Sequence, residues 1–95
     1  MTDAPAITVH IPTPLRNSCA GASTLALAVP TVRAVLHELE QRHPALHRSI
    51  CDETGAVRRH INLFVNKDHM RERNGLDTPL RPGDEVTIMT AVSGG

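Results

Sequence analysis

A single change of hydrophobic rhythm constrains this chain more than any other feature. Apolar residues alternate with period two towards both ends and take up a helical period between Thr31 and Pro44. "AITVHIP" sets Ile7, Val9 and Ile11 against Thr8 and His10, which is a half-buried strand stopped by Pro12. "STLALAV" reads as a second strand, reached through "TPLRNSCAGA", a loop too long for a tight turn. Over residues 32–42, Val32, Val35, Leu36 and Leu39 fall at i, i+3, i+4 and i+7, one face of a helix. Thr31 supplies its N-cap, and Pro44 forces the helix to end near Arg42. "ALHRSICDETGAV" reads as irregular chain, with a short turn bringing Leu46 and Ile50 to the core. Period two then returns in "RHINLFVN", with Ile61, Leu63 and Val65 on one face and Asn62, Phe64 and Asn66 on the other. "NKDH" reads as a turn, "MRER" as a short strand, and "NGLDTPLRPGD" as a loop anchored by Leu76 and Leu80. "EVTIMTAV" is the last strand, with Val86 and Ile88 facing inward.

The expected order is therefore β-β-α-β-(β)-β, an α+β chain. One helix with one apolar stripe covers one face of one sheet. A mixed sheet wrapped around a single main helix, the ubiquitin-like β-grasp shape, is the economical solution. No repeat, low-complexity tract or linker divides residues 1–95, so they are expected to form one domain with a flexible tail at about 92–95.

Composition excludes several classes of function. Net charge is zero, which gives no electrostatic footprint for nucleic acid. Phe64 is the sole aromatic residue, so base-stacking platforms are absent as well. No apolar run approaches the roughly 20 residues of a membrane span. "MTDAPAITVH" lacks the charged-then-apolar pattern of a signal peptide, and Cys19 and Cys51 stand apart from any paired motif. The expectation is a cytoplasmic protein with free thiols.

Candidates for catalysis are thin. Of the histidines at 10, 37, 43, 47, 60 and 69, His43 and His47 have the spacing of a helical metal pair. Pro44 between them breaks the helix this needs, so surface histidines are expected and no metal. Cys51, with His47 and Asp52 close by, has the residue types of a nucleophile and its base, but a one-helix domain offers little pocket for them. Arg58, Arg59 and His60 read as a solvated strand edge, without glycine-loop spacing for a nucleotide. A freestanding enzyme is not expected.

The sequence closes on "VSGG". A terminal carboxylate is the one group that a partner can activate without modifying a side chain, provided it reaches a buried ATP site. Fully extended from Ala91, the tail would reach roughly 13–17 Å, at about 3.3 Å per residue. Gly94 and Gly95 have no Cβ to clash in a narrow channel.

"RPGDEVTI" before the last strand, the closing "AVSGG", "INLFVN" and the early "IPTPLR" resemble the MoaD/ThiS family of ubiquitin-like sulfur carriers. Within that family the likeness is to carriers of the CysO type, which serve cysteine biosynthesis. "NSCAGASTLALAV" follows no family pattern. The resemblance implies that the chain is a cosubstrate. An activating enzyme of the ubiquitin-activating type uses ATP to adenylate Gly95, and sulfur then replaces AMP to leave a thiocarboxylate. Val92, Ser93 and Gly94 carry it into partner active sites. The acceptor implied is a pyridoxal-phosphate cysteine synthase, with a metal-dependent peptidase releasing product; the carrier itself holds no cofactor. The same tail chemistry also serves the small subunit of a molybdopterin synthase, thiamine or secondary-metabolite sulfur donors, and ubiquitin-like modifiers.

Docking then needs a surface. With Ile61, Leu63 and Val65 inward, Phe64 faces out, and Thr87 and Met89 on the last strand face the same way. Phe64, Met89 and Thr87 form the candidate docking patch.

Overall fold

Strand β1 (Ala6–His10) buries Ile7 and Val9 and continues into the buried Ile11, as its alternation demands. In this computed structural model, which describes residues 6–90, β1 pairs antiparallel with β2 (Thr24–Ala28), Ile7 lying opposite Leu27. Helix α1 (Val32–Arg42) follows, and its N-cap is Thr31, whose hydroxyl accepts the Ala34 N–H at 3.1 Å. Val32, Val35, Leu36 and Leu39 are all buried, so the helical stripe is the face that meets the sheet.

Strand β3 (Ile61–Val65) presents Ile61, Leu63 and Val65 to the same core, and β5 (Glu85–Thr90) presents Val86 and Ile88. Its neighbour β4 (Asp68–His69) has two residues. The sheet order is β2-β1-β5-β3-β4, with β1 and β5 parallel and every other pair antiparallel. This is the mixed sheet over one long helix that the periodicity predicts.

Three segments differ from the sequence reading. Residues Pro44–Ile50 form a helix, α2, rather than irregular chain. Pro44 does end α1, but its fixed φ and missing N–H suit the first position of a new helix equally well. His43, non-helical at φ −138° and ψ 70°, is the joint between the two helices, and Leu46 and Ile50 are buried as expected. The stretch read as a loop after β1 contains a 3-10 helix, Thr13–Cys19, that buries Cys19. "MRER" is not a strand: β4 is Asp68–His69, and Met70–Glu72 is a 3-10 turn that buries Met70. Asn66 takes a positive φ of 57°, which closes β3 onto β4 across Asn66 and Lys67 and brings the return strand forward.

The loop that leads from β4 into β5 is tied to the start of α1. Thr78, fully buried, donates its hydroxyl to the Gly75 carbonyl at 2.7 Å and accepts the Asn74 N–H at 3.1 Å. Its carbonyl accepts the Val32 N–H, and Leu80 N–H reaches the Pro30 carbonyl. Leu80 is buried and Leu76 packs partly buried against the core, as anchors of this loop.

Candidate functional site

Strand β5 lies at the centre of the sheet, between β1 and β3. Its pairing with β3 continues to Thr90, opposite Ile61, and Thr90 is the last described residue. Val92, Ser93, Gly94 and Gly95 lie outside the described residues. The structure thus fixes the point from which they depart. At this end of the sheet the register places Ile11 and Pro12 beyond β1 on one side, and His60 and Arg59 ahead of β3 on the other. The basic run read from the sequence as a strand edge therefore stands beside the exit of β5.

The face opposite the helices carries the candidate patch. Phe64 lies directly across from Thr87, and Met89 directly across from Asn62, so Phe64 and Met89 are diagonal neighbours. Met89 is the exposed large hydrophobic residue among those described, at 50% exposure. Phe64 and Thr87 are half-buried. Part of the cover over Phe64 is His69 from β4, edge-on at 5.2 Å between ring centroids and an interplanar angle of 73°.

His69 is itself fixed by two hydrogen bonds. Nδ1 accepts the Arg71 N–H at 3.1 Å, so in the neutral ring the proton sits on Nε2, which lies 3.1 Å from the Asn62 carboxamide oxygen and donates to it. Sequence reasoning named Phe64, Met89 and Thr87 but missed Asn62 and His69. The two-residue β4 carries no periodic signal, and Asn62 pointed outward without an evident partner.

The other candidate residues stay apart or are chemically quiet. His10 bonds the exposed Glu85 at 2.6 Å, while His37 and His60 are exposed. His43 sits at the helix joint, and His47 lies 3.9 Å from Glu40. No three metal-ligating side chains come together among the described residues. Cys51 does share a cleft of about 440 Å3 with His47, Arg48, Asp52 and Arg58. Burial, reinforced by the Asp52 charge, pushes its thiol up to about 11. It is a protonated structural thiol at neutral pH, the opposite of an activated nucleophile. Asp52 is engaged locally, accepting from the Thr54 hydroxyl and N–H and from the Ala56 N–H.

One electrostatic feature does bear on β5. Asp84, just before it, accepts the Arg81 N–H at 2.9 Å and the Asn66 amide at 3.1 Å. Those bonds, the Arg81 N–H first, hold its carboxyl below the usual aspartate range. Asn66 in turn accepts the Glu85 N–H, which locks the start of β5 to the β3–β4 turn.

A five-stranded mixed sheet wrapped around a main helix, with its central strand running out to the end of the described chain, defines a ubiquitin-like β-grasp protein. The chain belongs to the ThiS family, whose sequence pattern matches residues 9–95. It is 35% identical over 91 residues to the sulfur carrier protein CysO of Mycobacterium tuberculosis, covering 94% of this chain and 98% of that one. Among solved structures it is similar to Amycolatopsis orientalis CysO in the BexX/CysO complex, with 34% identity, TM-score 0.85, and 95% and 100% of the two chains covered. It also resembles small archaeal modifier protein 1 of Methanosarcina acetivorans at 31% identity and TM-score 0.85, with both chains fully covered. No helix among the described residues is long and apolar enough to cross a membrane.

Proposed function

We propose that this protein is a sulfur carrier of the CysO type, a cosubstrate of enzymes rather than an enzyme. The observation that carries the reading is the family match, which includes Gly94 and Gly95, on a fold whose central strand leads towards them. In the proposed cycle the Gly95 carboxylate attacks the α-phosphorus of ATP in a partner enzyme of the ubiquitin-activating type and releases pyrophosphate. Hydrosulfide then adds to the acyl carbon and expels AMP, leaving a thiocarboxylate; with a persulfide donor the acyl persulfide formed first is cleaved at its S–S bond by a thiol, which is oxidised to a disulfide. Ionised, the carboxylate is a poor electrophile, and the mixed anhydride removes that barrier. Tethering the sulfur raises its effective concentration at the acceptor's reacting centre.

The favoured acceptor is a pyridoxal-phosphate cysteine synthase, followed by a metal-dependent peptidase, so the cofactors belong to the partners. The Phe64–Thr87–Met89 face is the proposed docking surface for the activating or acceptor enzyme, with Val92, Ser93 and Gly94 as the threading segment. An exposed methionine diagonal to the chain's sole aromatic fits an anchor at an interface. Likeness to a small archaeal modifier supports a second reading, conjugation through Gly95 to lysines of other proteins.

The intact mass of the natively purified chain, with capture of its partners, separates the two readings. A carrier shows the mass gain of one oxygen-to-sulfur exchange and copurifies with a cysteine synthase. Isopeptide-linked species of higher mass favour the modifier, and copurification with a molybdopterin synthase large subunit overturns the cysteine pathway.

A further inference from the structure

The two edges of the sheet are built differently. On one side β4 is two residues long, contains Asp68 and follows Lys67, features that discourage further strand pairing. On the other side β2 runs for five residues, "TLALA", with no charge, proline or bulge.

Hydrogen-bond parity shows what this edge offers. Thr8 N–H bonds Asp84 on the β5 side of β1, whereas Ile11 N–H bonds Ser23 on the β2 side. Odd residues of β1 therefore face β2, and in the observed register their partners are Leu25 and Leu27. The N–H and C=O groups of Thr24, Ala26 and Ala28 point the other way, to the open edge. Beyond the β1 ladder, none of these groups has a hydrogen-bond partner among the described residues.

We propose that β2 pairs with β2 of a second copy of this chain, antiparallel about a two-fold axis at Ala26. That register sets Ala26 opposite its own copy and Thr24 opposite Ala28 of the partner subunit, so every free edge group of both strands is used. The cross-strand pairs on the outer face are small and uncharged. On the helix side Leu25, half-buried in the single chain, meets Leu27 of the partner subunit. Zero net charge leaves no long-range repulsion between copies. The pairing is isologous and closes on itself, as a two-fold interface must. It lies two strands away from Met89 on β5 and three from Phe64 on β3, and it does not depend on the sulfur-carrier reading.

Sedimentation of the full chain up to about 1 mM, where even weak association registers, should show a concentration-dependent shift to twice the monomer mass. Amide exchange at Thr24, Ala26 and Ala28 should slow in step with that shift, since these N–H groups have no hydrogen-bond partner among the described residues of one chain. Ala26→Lys and Ala26→Glu place like charges across the axis, and each alone should weaken the dimer by up to about fivefold. An equimolar mixture of the two variants should restore it, which a folding defect would not do. A monomer at every concentration, variants that dimerise like the native chain, or a mixture that stays monomeric each overturn the proposal.

Discussion

Phe64 lies outside the core yet is partly covered by His69, so its loss should separate stability from recognition. Phe64→Ala removes one edge-to-face contact, worth about 1 kcal/mol, and should lower the thermal midpoint by no more than about 4–8 °C in a domain of this size. Binding to the activating or acceptor enzyme should fall roughly tenfold if the residue anchors docking. Calorimetry of unfolding and of binding on the same variant checks both halves, and unchanged affinity would remove Phe64 from the docking surface. Asp84 gives a pH signature. Its carboxylate accepts native hydrogen bonds that the unfolded chain lacks, so the folded form holds its proton less tightly. The stabilisation is complete above the unfolded aspartate value of about 3.9 and disappears as pH falls through the lower folded value. Asp84→Asn should therefore flatten the acid limb of urea midpoint against pH while leaving the slope near neutrality unchanged. An acid limb as steep as that of the native chain would contradict this role. The directions of Phe64 and Met89 follow from strand alternation in the sequence. The neighbours of Phe64 do not, because His69 reaches it through a two-residue strand.

Helix α1 shows what periodicity can deliver. Four apolar positions in one stripe, a threonine ahead of them and a proline behind give the helix, its cap and its end, and all are observed. Leu36→Ala should cost about 2–5 kcal/mol in denaturant melts, because the side chain is 5% exposed and its removal leaves a cavity. A loss under about 0.5 kcal/mol, the scale of a surface substitution, would mean that Leu36 contributes little to the core. Helix α2 escapes the same reasoning because one residue plays two parts: Pro44 stops α1 and opens α2. Its seven residues hold only two buried positions, Leu46 and Ile50, too few to establish a period. Strand β4 is missed for a different reason. The positive φ at Asn66 makes the turn tighter than the composition of "NKDH" suggests.

Across the whole molecule, sheet order turns a list of elements into a functional arrangement. Alternation places Val86 and Ile88 in the core but is silent on which strands flank them. The parallel pairing of β1 with β5 and the antiparallel pairing with β3 make the last strand the central one, secured on both sides. In the proposed cycle, the residues after a strand secured on both sides are threaded into a partner without disturbing the fold behind them. The proposed tail chemistry, in contrast, is inferred from "VSGG" together with the resemblance to the MoaD/ThiS carriers, and it falls on residues outside the described ones.

That chemistry rests on Gly95 as the activated residue, and deletion of Gly95 tests it most directly. Removing one residue draws the carboxylate back by about 3.3 Å, more than the tolerance of a reaction whose atoms must meet at roughly 3–3.5 Å. Pyrophosphate release with the cognate activating enzyme, followed by intact mass, should show turnover and oxygen-to-sulfur exchange for the full chain. Neither should occur for the chain lacking Gly95, whose unfolding midpoint should match the native one. Adenylation and thiocarboxylate formation by the shortened chain at the native rate would contradict the assignment of Gly95 as the activated residue.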